Sequence, residues 1–278
     1  MDVSPDILAR EKAKVVAVIG AGKIGEAIAT KMSKSGIVKK VIVTKRNVDT
    51  LNISSKKIQI TSNNSLAAKG ADVIFLSVKA ADAKEVLGEI SGHAKGKLVI
   101  SVMAAVSIKK LERALPGSFI IRAMPNISAM IGEAVTAYSL GTGVKEEHSS
   151  TARVLFGSFG THVEVPESAM DAVTAISGSG PAYIAVLIDA MISGALKVGL
   201  SRDVAFKLVT KTLTGTADLL EQHKMHPAEL RDIVTTPAGT TIAGIYELEK
   251  GSFRTSIMNA IEAATQASSK VGAKFESE

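Results

Sequence analysis

Three glycines near the start of the chain have the spacing G-x-G-x-x-G and follow a run of apolar residues. The run at 15–19 reads Val-Val-Ala-Val-Ile. Between a strand and a helix, the first glycine of this pattern allows a tight turn, the second lets a pyrophosphate reach the backbone, and the third lets helix and strand pack closely. The N–H groups at the helix start attract negative charge. The segment therefore predicts a dinucleotide-binding turn, whose contacts would be Gly20, Gly22, Lys23, Ile24 and Gly25.

The end of the second apolar strand candidate bears on which dinucleotide binds. In NAD-specific folds of this kind an acidic residue near that point binds the ribose 2′-hydroxyl. Here the strand ends in Thr-Lys-Arg-Asn at 44–47, and the first acidic residue is Asp49. A hydroxyl, two cations and an amide suit a 2′-phosphate, so we predict that Lys45 and Arg46 bind one and that NADPH is preferred, with NADH left open as a second cofactor. The alternative is that both cations are solvated loop charges.

A later apolar strand candidate, 72–78, is followed by Lys79. Ligands of doubly wound sheets bind beyond the carboxyl ends of the strands. We therefore expect the backbone of Val78 and Lys79 to line the nicotinamide ribose. The alternative for Lys79 is a surface residue beside a helix.

The pattern of elements differs between the two halves of the chain. Up to about residue 165, short and continuously apolar strand candidates alternate with helical segments, as expected for parallel strands covered on both faces. From about Glu167 the pattern is helical, with almost no strand signal. We therefore predict a doubly wound, Rossmann-type α/β domain at 1–165 and an all-α domain at 166–278 for substrate binding and oligomerisation. Helical segments as apolar as 182–188 need more cover than one small layer gives, which predicts a homodimer or higher homo-oligomer.

Composition and charge argue against several classes of protein. The chain has 278 residues, 46% hydrophobic and 22% charged, which is ordinary for a soluble globular protein. Its net charge of +6 is scattered, and it has no tryptophan, so a nucleic-acid partner is not predicted. We find no apolar run of 18 residues and no signal-peptide pattern, so no membrane partner is predicted either.

The cysteine and histidine content argues against thiol chemistry and metal binding. The chain has no cysteine, which excludes disulfides, thiolate nucleophiles and cysteine zinc sites and fits a cytoplasmic location. The five histidines fall in different predicted elements and form no metal-binding motif, so no metal site is predicted.

Three further segments carry a family resemblance. They read Arg-Ala-Met-Pro-Asn at 122–126, Ser-Gly-Ser-Gly-Pro-Ala-Tyr at 177–183 and Thr-Pro-Ala-Gly-Thr-Thr at 236–241. With the glycine turn, in this order and at this spacing, they closely resemble pyrroline-5-carboxylate reductase, and the resemblance covers essentially the whole chain. It implies NAD(P)H-dependent hydride transfer to the imine carbon of 1-pyrroline-5-carboxylate, giving L-proline in the last step of proline biosynthesis.

The resemblance places the substrate at the third segment. A protonated imine accepts hydride without a strong base, so the protein must mainly orient the ring and anchor its carboxylate. Gly239, Thr240 and Thr241 at a predicted helix start offer N–H groups and hydroxyls for that carboxylate. By resemblance, the Thr241 hydroxyl lies near the ring nitrogen, as a hydrogen-bond partner or proton relay. Ser179 is also expected on the substrate side, the alternative being a helix N-cap.

The resemblance also gives roles to residues of the first domain. Asn64 matches an asparagine near the adenosine phosphate, with a turn residue as the alternative, and Asn126 would border the nicotinamide pocket. Arg122 is expected to have a structural pairing role. The chain departs from the family where Ala238 replaces a common glycine and Ala80 a common proline. These departures leave substrate affinity and strict substrate identity open.

Two other functions are compatible with the sequence. A β-hydroxyacid-type dehydrogenase shares the order of domains but needs a lysine acid/base, for which Lys197 and Lys211 are the candidates. A non-catalytic NADP(H)-binding sensor would need no second ligand turn, and the Thr240-Thr241 segment argues against it.

Overall fold

The computed structural model describes residues 14–51 and 53–277, with side chains up to Ala273. Its first part is built on an eight-stranded sheet with the order β3-β2-β1-β4-β5-β6-β7-β8. All neighbouring pairs are parallel except β6 and β7. The strands are β1 (Lys14–Ile19), β2 (Val38–Thr44), β3 (Ile58–Thr61), β4 (Val73–Leu76), β5 (Leu98–Ser101), β6 (Phe119–Met124), β7 (Ala134–Leu140) and β8 (Gly160–Glu164).

Helices connect the strands and then form the rest of the chain. Those among the strands are α1 (Lys23–Lys34), α2 (Asn64–Lys69), α3 (Ala83–Ala94), α4 (Ile108–Ala114) and α5 (Glu146–Gly157). Those after the sheet are α6 (Met170–Val173), continued by a π-helical turn at Thr174–Gly178, then α7 (Gly180–Lys197), α8 (Arg202–His223), α9 (Pro227–Ile233), α10 (Thr240–Lys250) and α11 (Phe253–Ser277).

The central strands are buried along their whole length. Every residue of β4 and β5 is buried, as is the stretch 16–19 of β1. Alternate side chains of these strands enter two apolar clusters, one on each face of the sheet, with Phe75 in one and Ile74 in the other. Both faces are therefore covered, which explains the continuous apolar runs in the sequence. The predicted fold class, a doubly wound domain followed by helices, is confirmed.

The sheet continues beyond the strands that the sequence indicated. After β6 the chain returns antiparallel as β7 and pairs with β8, adding two strands that we did not predict. Neither is a continuous apolar run: β7 reads Ala-Val-Thr-Ala-Tyr-Ser-Leu and β8 reads Gly-Thr-His-Val-Glu. Their weaker apolar signal explains why they escaped the pattern analysis.

The described chain forms two compact units. One runs through Ser179 and includes the chain from Ala263 onward, and the other is Gly180–Glu262. The second unit has a small core in which Ile192 packs with Ala205 and Val209. The predicted domain bounds at 165 and 166 stay a prediction.

Much apolar surface of the helical unit is exposed. Val186 is 71% exposed and Tyr246 67% exposed. The helical stretch Glu167–Lys197 is long and apolar enough to cross a bilayer by length and composition, and only 11% of its most apolar window is buried. One such helix is weak evidence for a membrane, because helices that pack against other protein pass the same test.

Candidate cofactor and substrate sites

The carboxyl ends of three strands lie side by side at one edge of the sheet. In register, Ile19 pairs with Thr44 on one side and with Leu76 on the other. The chain segments that follow these strands therefore meet at this edge. Because β1 lies between β2 and β4, the edge includes the point where the strand order reverses, and ligands of doubly wound sheets bind there.

The three glycines of the turn differ in what surrounds them. Gly20 has φ +87°, and a Cβ there would overlap Val78 Cγ1. A Cβ at Gly25 would lie 2.7 Å from the Gly20 carbonyl oxygen, but one at Gly22 would meet nothing within 4 Å. The first and third glycines are therefore required by the protein's own packing, whereas the second leaves the backbone open toward solvent. This geometry fits the approach of a pyrophosphate.

Hydrogen bonds from β2 hold the turn. The Ala21 amide donates to the Thr44 carbonyl at 2.8 Å, and the Gly20 amide to the Thr44 hydroxyl at 3.2 Å. That hydroxyl donates to Asn64 Oδ1 at 2.6 Å, and Asn64 Nδ2 donates to Glu89 Oε2 at 2.7 Å. Thr44 is buried, and both of these hydrogen bonds of its hydroxyl are made within the protein, so it supports the phosphate turn.

A cleft of about 290 Å³ lies at this edge. It brings together seven of the residues that the sequence predicted for the cofactor: Gly20, Gly22, Lys45, Arg46, Asn64, Val78 and Lys79. Ser77, in the same predicted strand end as Val78, also lines it, as do Ser62 and Asp82, which were not predicted from the sequence. No motif marks them, because they reach the cleft only through strand register.

The two predicted phosphate-binding cations are both paired with carboxylates. Lys45 Nζ lies 2.8 Å from Glu26 Oε1. The Arg46 guanidinium lies 2.9 Å from Asp82 and 3.1 Å from Glu85, and the hydrogen bond to Asp82 raises the Arg46 pKa. Neither cation is a purely solvated loop charge. A phosphate would have to exchange with these carboxylates.

The other predicted cofactor residues occupy different positions. Lys23 is exposed at the first position of α1, near the turn. The Ile24 side chain packs against the apolar core, so only its backbone remains for a ligand. Asn126 caps the turn Ile127–Met130 through Ser128 N at 3.3 Å and is not among the residues that line the cleft.

Arg122 has the structural role that the sequence predicted. It is buried on β6 and forms an ion pair with Glu167 at 3.1 Å. The same Glu167 oxygen accepts the Ile108 amide at 2.7 Å. This pair therefore ties β6 and the start of α4 to the segment that follows β8.

The predicted substrate segment forms the start of α10. Gly239 is the N-cap, and a Cβ there would overlap Thr236 Oγ1. Within the described residues, the hydroxyls of Thr240 and Thr241 make no hydrogen bond, and the first N–H groups of the helix lack intrahelical partners. The turn therefore offers the donors that a carboxylate needs. Ala238 has φ +55°, the left-handed region that favours glycine.

Ser179 lies at the junction before α7, in the first unit. Its amide donates to the Thr174 carbonyl at 2.9 Å, closing the π-helical turn. Its backbone is right-handed helical, with φ −86° and ψ −21°. A helix N-cap takes an extended backbone, so the N-cap alternative for Ser179 is wrong.

Comparison with known proteins covers both parts of the chain. Residues 167–271 match the family described as pyrroline-5-carboxylate reductase dimerisation, and residues 15–105 match NADP oxidoreductase coenzyme F420-dependent. The pyrroline-5-carboxylate reductase of Synechocystis is 39% identical over 92% of this chain and 98% of its own. The chain belongs to the pyrroline-5-carboxylate reductase family.

Solved structures agree with this membership. The Plasmodium falciparum pyrroline carboxylate reductase with NADP bound is 31% identical, has a TM-score of 0.86, and covers 93% of this chain and 98% of its own. The pyrroline-5-carboxylate reductase of Coxiella burnetii is 29% identical, with the same TM-score, over 94% of this chain and 99% of its own. Membership of this reductase family favours the reductase interpretation over a β-hydroxyacid-type dehydrogenase.

Proposed function

We propose that the chain reduces 1-pyrroline-5-carboxylate to L-proline with NADPH. The observation that carries the proposal is the likeness to pyrroline-5-carboxylate reductases along nearly the whole chain, with the dinucleotide cleft and the Thr240-Thr241 turn both intact. A sensor would need the cleft alone. The turn, with two hydroxyls that have no partner among the residues the structure describes, lies at a helix start and gives the second ligand a place to bind.

The cleft supports the cofactor part of the proposal. The backbone around Gly22 would hold the pyrophosphate, and Lys45 and Arg46 the 2′-phosphate, after exchange with their carboxylates. When bound, NADPH supplies the hydride. The Plasmodium relative is described with NADP bound, which favours this cofactor class. The preference for NADPH over NADH is part of the proposal.

The residues of the α10 turn would bind the substrate. The N–H groups at the helix start and the Thr240 hydroxyl bind the carboxylate, because the positive end of the helix dipole favours an anion there. The Thr241 hydroxyl bonds the ring nitrogen, holding the ring in one orientation while hydride reaches the imine carbon. The nitrogen, protonated beforehand, becomes the amine of proline, so no strong base is needed.

The exposed apolar helices support a homodimer or higher assembly. The region 167–271 matches a family described by its dimerisation, and a second copy would cover the apolar side chains that the single chain exposes. A cytoplasmic location is likewise a proposal, with which the cysteine-free composition is compatible.

The experiment is a direct assay on the purified protein. Loss of NADPH absorbance on addition of 1-pyrroline-5-carboxylate, with proline identified as the product, supports the proposal. A parallel assay with NADH tests the cofactor preference, which fails if NADH is used at equal or better kcat/KM. NADPH binding without turnover would favour the sensor instead.

A further inference from the structure

Two of the cations that line the cofactor cleft already have carboxylate partners. Two cations, Lys45 and Arg46, face three carboxylates, those of Glu26, Asp82 and Glu85. A 2′-phosphate bound by either cation would therefore compete with a carboxylate that is already there. Selectivity for that phosphate depends on how easily it replaces each carboxylate at Lys45 or Arg46.

The two ion-pair arrangements differ in shelter from solvent. The Arg46 side chain is 73% exposed and that of Glu85 65% exposed, whereas those of Lys45 and Glu26 are each only 27% exposed. Exposed pairs contribute little because solvent and salt screen them. The Lys45–Glu26 pair is screened less, so it is the harder one to exchange.

Glu26 is also held in place by its own helix. It lies in the first turn of α1, and its amide donates to the Gly22 carbonyl at 2.8 Å. A carboxylate in the first turn is stabilised by the helix dipole. Lys45 is restrained as well, because its Nζ also donates to the Thr50 carbonyl at 3.3 Å. The pair is therefore part of the phosphate turn rather than a chance surface contact.

We propose that Glu26 is the residue that limits selectivity for the 2′-phosphate of the dinucleotide. This rests on the proposed function. A phosphate on Lys45 would share one ammonium with the Glu26 carboxylate, and the two anions repel each other. A ribose 2′-hydroxyl would instead donate to that carboxylate, as it does to the acidic residue of NAD-specific folds. Glu26 on α1 thus takes the place of the acidic residue that the end of β2 lacks.

The test is a binding titration, independent of turnover. NADPH and NADH are titrated by nicotinamide fluorescence onto the wild type, Glu26→Gln and the control Glu146→Gln. Glu146 also lies in the first turn of a helix and pairs with a cation, but that cation, Arg153, does not line the cleft as Lys45 does. For Glu26→Gln we expect the ratio Kd(NADH)/Kd(NADPH) to rise about three- to tenfold, the size of one charge contact near the surface. The control ratio stays at the wild-type value.

A second substitution tests whether the Glu26 carboxylate acts on the phosphate itself. In a Lys45→Met background this carboxylate has lost its counter-ion and still repels the phosphate, so Glu26→Gln should raise the ratio there too. If Glu26→Gln fails to fold, Glu26→Asp, which withdraws the carboxylate by one methylene, should move the ratio in the same direction. If the wild type binds NADPH but the ratio for Glu26→Gln is equal to or lower than the wild-type ratio, this inference alone is overturned. A wild type that binds neither cofactor overturns the proposed function as well.

Discussion

The hydroxyl of Thr44 donates to Asn64 Oδ1 across 2.6 Å and accepts the Gly20 amide at 3.2 Å. One buried oxygen therefore connects the end of β2, the start of α2 and the first glycine of the phosphate turn. Asn64 Nδ2 in turn donates to Glu89 Oε2 of α3 at 2.7 Å. The shape of the turn thus depends on a small network of hydrogen bonds in addition to the glycines.

Replacing this hydroxyl by a methyl group should loosen the turn. Thr44→Val leaves the partly buried Asn64 Oδ1 and the Gly20 amide without this partner, so we expect the free energy of unfolding to fall by about 1–3 kcal/mol and NADPH to bind more weakly. Chemical denaturation and a fluorescence titration measure the two effects. The matched control is Thr136→Val: Thr136 is also buried, but its hydroxyl has no partner in the described structure, so its loss should be neutral or stabilising. Equal effects in both variants would contradict the role of Thr44.

Gly22 should tolerate a side chain in the fold but not in the complex. Nothing lies within 4 Å of a Cβ built there, so Gly22→Leu should keep its melting temperature while NADPH binding is lost. Gly157→Leu is the control, because Gly157 is equally open but lies at the end of α5. If a titration shows that Gly22→Leu still binds NADPH, the pyrophosphate does not bind at this turn.

The sequence predicted the alternation of strands and helices, though not β7 and β8, and the edge of the sheet that carries the cleft, because both depend on local patterns. The apolar run before Gly20 and the strand ending at Val78 were enough to place them. Which side chains bond to one another could not be predicted from the sequence. Glu26 and Lys45 are 19 residues apart, and Thr44 and Asn64 are 20 apart, so only strand register brings them together.

Ala238 stands in a backbone conformation that suits glycine better. Its φ of +55° costs an L-residue about 1–2 kcal/mol, which glycine would not lose. Part of this gain is cancelled, because glycine also increases the conformational entropy of the unfolded chain. We therefore expect Ala238→Gly to raise the free energy of unfolding by about 0.5–1 kcal/mol, measured by denaturation. In the control Ala243→Gly, within α10, the same change should destabilise by about 1 kcal/mol. A destabilised Ala238→Gly would mean that the methyl group has a packing role.

Acid should weaken the fold through His148. The Lys145 amide donates to His148 Nδ1 at 3.1 Å, which requires a neutral ring, and the ring stacks on Phe119. Burial lowers the His148 pKa, and the cations of Lys145 and Lys14 add to the shift, although Glu147 opposes it. Because the folded pKa lies below the unfolded one, this contribution is complete above the unfolded value of about 6.5 and is lost as pH falls below it.

The measurement is the free energy of unfolding between neutral and mildly acidic pH. His148→Gln keeps an acceptor for the Lys145 amide but does not titrate, so its stability should fall less across this range than that of the wild type. The His162 pKa is also lowered by burial, and that contribution is common to both proteins. Parallel curves for the two proteins would exclude His148 as the source.

The Thr241 hydroxyl should matter for turnover but not for folding. It makes no hydrogen bond within the described residues, so Thr241→Ala should leave the melting temperature unchanged. If the hydroxyl bonds the ring nitrogen, its loss should lower kcat/KM by about ten- to a hundredfold, as expected for one polar contact. The control is Thr216→Ala, because the Thr216 hydroxyl donates to a carbonyl of its own helix at 2.7 Å. Unchanged kinetics in Thr241→Ala, with intact NADPH binding, would mean that the Thr241 hydroxyl does not bond the ring nitrogen.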